Sequence, residues 1–444
     1  MSPLGVLGLD YNTAVVILGT GLLGLASGII GAFAVLRRRA LIGDALAHAA
    51  LPGICLAFLI TGERTFLWLL TGAFLSGLLG VGVVSLLRHY TRTKEDAAIG
   101  IVLSVFFGVG IALSRIIQNL GTEGSKAGLD TFIFGKTAGM LLQDIYAITA
   151  LVVLVVAVVA LLYKEFKLVS FDPEFAAVQG WPTLKLDLCL MGLLALTAVV
   201  GLPAVGVVLM AAMLIIPGAA ARFWAVRLGP LLWLSGAFGL LTGILGTLIS
   251  ARLGDLVGGP DLPTGPVIVL TGTALFGVSL LFAPRRGALA RWIEHLRLSR
   301  KVAEQNLLRT AYELNEPFLP RRVPFRLEDL LRRRAWSAGR ARWLLARAAA
   351  RGRVRPTGSG TYELTEVGLE RAAAVVRTHR LWELFLIEEA HLAPDHIDRD
   401  ADAIEHVLPP ALVKRLEEEL RRARRLPAPG ALPPSPHVLT REER

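Results

Sequence analysis

Apolar residues form long uninterrupted runs over roughly the first two thirds of the chain, and these runs predict its fold. Nine of them approach twenty residues, the length of helix that crosses about 30 Å of hydrocarbon. We predict membrane-spanning helices at 13–36, 41–60, 66–88, 97–116, 142–163, 186–202, 204–223, 230–252 and 266–283. The less regular segment 118–141 is a candidate for a re-entrant stretch.

The loops between the runs differ in positive charge, which predicts their orientation. Eleven arginines and lysines follow the odd-numbered spans and five follow the even-numbered spans. Cytoplasmic loops of membrane proteins carry the excess of these residues. The amino terminus is therefore expected outside, and the polypeptide after the ninth span in the cytoplasm.

Charge also divides the chain into a membrane part and a water-soluble part. The 444 residues are 54% hydrophobic with a net charge of +11, of which +2 lies up to Pro284 and +9 beyond it. We predict an all-α polytopic membrane domain over 1–285 and a tail of three segments. These are a winged-helix-like domain at 298–365, a helical domain resembling a metal-binding and dimerisation module at 366–425, and a disordered end at 426–444. The lone thiols Cys55 and Cys189 are expected to be packing residues.

Two polar side chains interrupt the second apolar run. Asp44 and His48 are spaced i, i+4, which places them on one helical face, and a carboxylate in hydrocarbon needs a partner or water. Carboxylate and imidazole together suit divalent manganese, zinc or iron. The pair could also hold helices together, or lie near the cytoplasmic end within reach of water.

Three stretches carry a resemblance to a known family: RRRALIGDALAHAALPG at 37–53, FDPEFAAVQGWP at 171–182 and VGVVLMAAMLIIPGAAARFW at 205–224. They resemble the permease subunits of ABC-type zinc, manganese and iron importers of the bacterial plasma membrane. The resemblance implies that Asp44 and His48 line the translocation path and contact the metal. It also implies a permease homodimer, an ABC ATPase subunit and an external metal-binding protein as partners, besides membrane lipid, with the metal as substrate and no permanently bound cofactor.

The second of these stretches is expected to form a short cytoplasmic helix. Asp172, Pro173 and Glu174 have the composition of a helix start, and Gly180 would end the helix. The resemblance implies that it is the coupling helix that contacts the ATPase. The chain itself is not expected to be an enzyme, because Gly135-Lys136-Thr137 lacks the remainder of a P-loop.

The tail begins with a helix in RKVAEQNLLRTAYELN and continues as helix, turn, helix and two short strands joined by RPTGSG. This order is typical of a winged helix. Its arginine excess is compatible with nucleic acid or with anionic lipid. Tethering to the membrane makes nucleic acid the less expected partner.

Further along the tail, candidate metal ligands lie at helical spacings. His379 and Glu383 are one set, and Asp402, Glu405 and His406 are another; amphipathic surface helices would give the same pattern. YELTEVGLERA, HRLWELFL and DADAIEHVL resemble metal-dependent repressors of the diphtheria-toxin-repressor and manganese-regulator type, which implies that these five residues ligate metal. The tail departs from that pattern at Asn306 and Arg309, where the regulators carry a further ligand.

The sequence thus predicts an ABC permease for manganese, zinc or iron with a tail that either senses metal and restrains import or mediates contacts with a second permease chain or the ATPase. Two alternatives remain open. One is a membrane-tethered metal-responsive transcription regulator, and the other is an ABC permease for a chelated metal cofactor such as a siderophore or cobalamin.

Overall fold

The computed structural model of the chain describes residues 10–62, 65–119, 135–257, 262–388, 409–422 and 433. The chain divides into two compact units, Met1–Arg291 and Trp292–Arg444. The first unit contains the long apolar helices, and the second contains the charged tail. Each unit is described by itself.

The first unit is a bundle of helices. Nine helices among the described residues are long and apolar enough to cross a membrane, which confirms the nine predicted spans. Two further helices between the fifth and sixth spans are short. In chain order the helices are α1 (Tyr11–Leu36), α2 (Ala40–Thr61), α3 (Phe66–Tyr90), α4 (Glu95–Asn119), α5 (Leu142–Leu161), α6 (Tyr163–Phe171), α7 (Pro173–Val178), α8 (Thr183–Val205), α9 (Val207–Trp224), α10 (Leu228–Val257) and α11 (Thr264–Phe282).

The sequence left two regions of the membrane unit ambiguous, the boundary between the sixth and seventh spans and the segment 118–141. Helices α8 and α9 are separated by Gly206 alone, whose φ of 80° lies in the left-handed region that glycine tolerates. In the predicted re-entrant segment, residues 120–134 lie outside the described part of the chain. The described remainder includes one 3₁₀ turn, Thr137–Gly139.

The backbones of helices α1 and α10 lie in direct contact because glycines of the two helices face each other. A Cβ built on Gly24 would lie 2.1 Å from the carbonyl oxygen of Gly239, and one built on Gly239 would lie 1.9 Å from that of Gly24. One turn away, Ser235 Oγ donates a hydrogen bond of 2.5 Å to the carbonyl oxygen of Gly28. Small residues allow this approach, and van der Waals contact and interhelical hydrogen bonds stabilise helix pairs in lipid.

The tail unit contains the predicted winged helix. The helix expected at 300–315 is the end of α12 (Ala288–Asn315), and the next elements are β1 (Phe325–Arg326), α13 (Leu327–Arg333), α14 (Ala338–Ala350), β2 (Val354–Gly358), β3 (Thr361–Leu364), α15 (Glu366–Glu388) and α16 (Pro410–Arg422). The strands form an antiparallel sheet in the order β1-β3-β2. Strand β2 runs through Pro356, which was expected in the turn. Proline is tolerated there because β2 is an edge strand.

The core of the tail unit joins α12 to the winged helix and to α15. Leu307 and Leu308 of α12 are buried with Leu345 of α14 and Val376 of α15. On the same helix, the carboxylate of Glu304 forms ion pairs with Arg351 and Arg353. These two arginines flank the turn between α14 and β2, so the ion pairs attach the wing to α12.

Replacing Gly239 with alanine should destabilise the membrane unit. Alanine in a helix ordinarily stabilises by about 0.5–1 kcal/mol relative to glycine, but here the new methyl group would overlap the backbone of α1, at a cost of about 1–3 kcal/mol. We expect a lower Tm for the detergent-purified chain. Gly277→Ala is the control, since nothing lies within 4 Å of its Cβ position. Equal Tm values for the two variants would contradict this packing.

Candidate metal path and coupling site

Asp44 and His48 lie one turn apart on α2, as their spacing predicted. Nε2 of His48 is 3.5 Å from Oδ1 of Asp44, and the two side chains are 19% and 31% exposed, respectively. The neighbouring positions of α2 are small and buried, with Ala45, Ala47 and Ala49 at most 4% exposed. The two polar groups are therefore set close together in a tightly packed and otherwise apolar helix.

The two ring nitrogens of His48 have different surroundings. Nε2 faces Asp44, whereas Nδ1 is buried and has no hydrogen-bond partner within the described ranges. The ring packs edge-on against Phe107 of α4, with centroids 4.9 Å apart and planes at 85°. A buried nitrogen without a partner costs about 1–3 kcal/mol. The site thus holds an imidazole nitrogen and a carboxylate that could both donate to a cation.

The turn before α2 holds the helix in place. Arg38 adopts a φ of 59°. The N–H groups of Arg38 and Arg39 donate to the carbonyl oxygens of Val35 and Ala34, respectively. This is the Schellman arrangement that ends a helix. It allows α2 to begin only a few residues after α1 ends.

The arginines of this turn bind a carboxylate on another helix. Asp187, in the second turn of α8, forms an ion pair with Arg37. NH1 of Arg39 lies 3.1 Å from both of its carboxylate oxygens. Sequence reasoning missed Asp187, because a single aspartate near the start of an apolar run has no partner at helical spacing. The ion pairs connect the start of α2 to the start of α8.

The predicted coupling segment forms the short helix α7 with the expected ends. The side chain of Asp172 accepts a hydrogen bond of 2.9 Å from the N–H of Phe175, as an N-cap does, and Pro173 occupies the first turn. Gly180 has a φ of 82° and follows the last turn. Glu174 is exposed, as are the apolar side chains of Phe175 and Val178, at 49% and 85%.

In the tail, the structure brings together some of the expected ligands. His379 and Glu383 lie one turn apart on α15, with Nε2 2.9 Å from Oε1 and both side chains at most 3% exposed. Arg309 of α12 contacts the same histidine, its NH1 3.1 Å from Nδ1. Oδ1 of Asn306 is buried without a hydrogen-bond partner in the described part of the chain. Asp402, Glu405 and His406 lie outside the described residues.

Neither unit gathers three or more histidine, cysteine or acidic side chains at metal-binding distance among the residues that the structure describes. The membrane pair therefore supplies two donors, one nitrogen and one carboxylate. Two donors suit an ion that passes through, since a transported ion must be bound weakly enough to leave.

Comparison with known proteins agrees with this architecture. The profile of the ABC 3 transport family matches residues 10–283. The chain belongs to the ABC 3 transport family. In the tail of this permease, residues 365–431 match the iron dependent repressor, metal binding and dimerisation domain.

Relatives of the permease have been named as metal transport proteins. The manganese transport system membrane protein MntC of Bacillus subtilis (strain 168) is 39% identical over 88% of this chain and 87% of its own length. The zinc transport system membrane protein TroC of Treponema pallidum (strain Nichols) is 44% identical over 65% of this chain and 95% of its own length. The solved structure of PsaBC from Streptococcus pneumoniae in complex with Fab is 28% identical. It has a TM-score of 0.56 and covers 66% of this chain and 97% of the matched chain.

Replacing Asp187 with asparagine should weaken the connection between α2 and α8. The largely buried guanidinium groups of Arg37 and Arg39 would lose their carboxylate, and we expect a loss of about 1–3 kcal/mol. The measurement is the Tm of the detergent-purified permease. Asp96→Asn, which alters an exposed carboxylate, is the control. A Tm drop no larger than that of the control would show that the ion pairs do not stabilise the bundle.

Proposed function

We propose that the permease carries a divalent transition-metal ion into the cytoplasm through a path lined by Asp44 and His48, driven by a separate ATPase chain. The observation that carries this proposal is the pairing of the partly exposed Asp44 carboxylate with Nε2 of His48, 3.5 Å apart in an otherwise apolar helix. Nitrogen and oxygen donors together accept manganese, zinc and iron. The names of the relatives, which specify manganese or zinc, support the same class of substrate.

The path requires the ion to exchange its ligands twice. On entry, the carboxylate of Asp44 and an imidazole nitrogen of His48 replace part of the hydration shell. Because the pair supplies only two ligands, the ion can be released toward water when the surrounding helices move. In this proposal two copies of the permease pair with two ATPase chains, and an external binding protein delivers the ion.

Helix α7 is proposed to receive the motion of the ATPase. It lies between membrane spans and exposes Phe175 and Val178, an apolar surface that suits a hydrophobic groove on a partner. The cap of Asp172 and the turn at Gly180 fix its two ends. The exposed Glu174 adds a charge beside this surface that can orient the partner.

A continuous set of contacts leads from α7 to the metal path. The N–H of Trp181 donates to the carbonyl oxygen of Ala176 at 3.1 Å, which caps α7 two residues before α8 begins. Asp187 of α8 then binds Arg37 and Arg39 at the start of α2. Asp44 lies little more than one turn further along that helix. A displacement of α7 would thus shift the helix that carries both metal donors.

The orientation follows from the charge pattern. Arg37–Arg39, Lys164 and Lys167 belong to the loops in which positive charge is concentrated, and such loops face the cytoplasm. We propose that α7 and the tail unit both lie on that side, in the plasma membrane of a bacterium. The ATPase contact and the tail would then share one compartment.

Transport should depend on both donors. In proteoliposomes that contain the permease, its ATPase and its binding protein, we expect Asp44→Asn and His48→Ala to reduce uptake of radiolabelled Mn²⁺ or Zn²⁺ by about tenfold or more, because each removes one ligand. Assembly and basal ATP hydrolysis should persist. His89→Ala, which alters an exposed histidine of α3, is the control and should transport normally.

Unchanged uptake in both variants would make the pair a structural contact. It would then favour a permease for a chelated metal, whose path needs no ligands. Metal-dependent, sequence-specific DNA binding by the intact chain, without uptake, would instead favour the membrane-tethered regulator.

A charge placed on the exposed face of α7 should uncouple the ATPase. We expect Val178→Asp to reduce co-purification of the ATPase and to lower its ATP hydrolysis in the complex, because an unpaired carboxylate would enter an apolar contact. Val367→Asp makes the same change at a valine of the tail that is 61% exposed, and it should leave both measurements unchanged. Normal ATPase binding and hydrolysis by the Val178 variant would rule out α7 as the contact.

A further inference from the structure

The tail unit buries a charged group beside two residues, His379 and Glu383, which the resemblance to metal-dependent repressors implies as metal ligands. Arg309 of α12 and the pair His379–Glu383 of α15 have side chains that are 7%, 3% and 2% exposed, respectively. All three belong to the tail unit, so their arrangement is independent of the proposed transport function. Burial of these groups requires that their charges be compensated within the protein.

The contact with Arg309 determines the protonation of His379. A guanidinium group has N–H donors and no acceptor, and its NH1 lies 3.1 Å from Nδ1 of the imidazole. Nδ1 must therefore accept, and the neutral ring carries its proton on Nε2. Nε2 lies 2.9 Å from the Glu383 carboxylate, although the N–H does not point in line at that oxygen. The ring is thus held between a carboxylate and a cation.

Arg309 is itself held in place by a second carboxylate. Its Nε lies 2.7 Å from Oε1 of Glu313, one turn along α12, and Oε2 of Glu313 lies 3.9 Å from Arg333. Glu313 therefore supplies negative charge next to the guanidinium, and Glu383 supplies it on the far side of the imidazole. The charge of Arg309 is compensated without an ion from solution.

This arrangement is that of a metal-binding histidine with one substitution. In such sites the imidazole binds the metal through one nitrogen and directs its other N–H toward a carboxylate. Here Glu383 is the carboxylate that faces Nε2, and Nδ1 of His379 is the nitrogen that would bind the metal. The guanidinium of Arg309 occupies the position of the metal. A metal ion at Nδ1 would need the lone pair that Arg309 occupies and would meet its positive charge. The described residues therefore do not fit a metal at this pair.

We propose that Arg309 is an internal cation that replaces a metal ion at His379 and Glu383, so that the tail folds without metal at this site. The expectation from the sequence was that these two residues ligate a sensed metal. The geometry instead assigns them to a permanent cross-link between α12 and α15. Any restraint of transport by cytoplasmic metal would have to act through other residues.

The proposal is tested by counting metal sites on the full-length chain in lipid nanodiscs, using the electron paramagnetic resonance signal of free Mn²⁺. His379→Gln should bind as many Mn²⁺ ions per chain as the wild type, because neither uses His379 as a ligand. Arg309→Glu should bind one more, since it removes the cation from Nδ1 of His379 and adds a second carboxylate beside Glu313. Arg309→Lys, which keeps the charge, should gain none.

Thermal unfolding gives an independent readout of the same variants. Arg309→Glu should lower the Tm of the metal-free chain by roughly 10 °C, and Mn²⁺ should reverse much of the loss. The matched control is Arg380→Ala, which removes another buried arginine of the tail, one that binds both carboxylate oxygens of Glu316. It should lower the Tm without rescue by Mn²⁺.

Two results would overturn the proposal. A loss of one Mn²⁺ per chain in His379→Gln would show that metal displaces Arg309 in the native protein. A folded Arg309→Glu chain that gains no Mn²⁺ would show that the guanidinium does not occupy a metal position. If Arg309→Glu fails to fold, the comparison of wild type with His379→Gln still decides the question.

Discussion

Burying an ionised side chain costs several kcal/mol unless an opposite charge or a ligand accompanies it, and this constraint connects the functional features of the chain. The charge of Asp187 is compensated by two arginines, Arg37 and Arg39. The charge of Glu304 is likewise compensated by Arg351 and Arg353, next to the wing. The polar groups of Asp44 and His48 are only partly satisfied, because Nδ1 of the histidine has no hydrogen-bond partner in the described part of the protein. In the proposed transport path, a divalent cation would complete that pairing.

Much of the architecture could be predicted from the sequence because membrane helices leave a strong local signal. The length and apolarity of each run sufficed to locate the nine spans, and Asp172, Pro173 and Gly180 mark the ends of α7 through local hydrogen bonding and backbone conformation. The turn in the tail was less predictable: Pro356 indicates a turn in isolation, but the edge position of β2 permits a strand there. Whether a strand lies at the edge or in the centre of a sheet depends on how the strands pair, which the local sequence does not show.

Contacts between distant residues could not be predicted in this way. Asp187 and Arg39 are 148 positions apart, and Arg309 and His379 are 70 apart, so neither pair has a helical or strand spacing. The sequence placed His379 and Glu383 together but could not show that a guanidinium faces them. The sequence offered one signal, which was that Arg309 stands where the related regulators carry a metal ligand. This signal argued against a metal site but did not identify the contact with His379.

The position of the Asp187 ion pair matters for how motion could pass along the bundle. Within hydrocarbon, an arginine–aspartate pair would be costly to separate, and in open water it would contribute little. Near the start of α8, with side chains 11% to 27% exposed, the ion pairs are expected to have an intermediate strength. They can therefore hold α2 and α8 together in one state and still exchange partners with water as the helices move.

An internal cation also differs from a metal ion in its dependence on concentration. A domain stabilised by a bound metal is stabilised only as far as the free metal concentration exceeds the dissociation constant. Arg309 is covalently part of the chain, so its contact with His379 persists at any metal concentration. The metal concentration around a metal permease changes when transport begins or stops. A fold held by Arg309 would remain intact through those changes, which suits a structural or partner-binding role better than a sensing one.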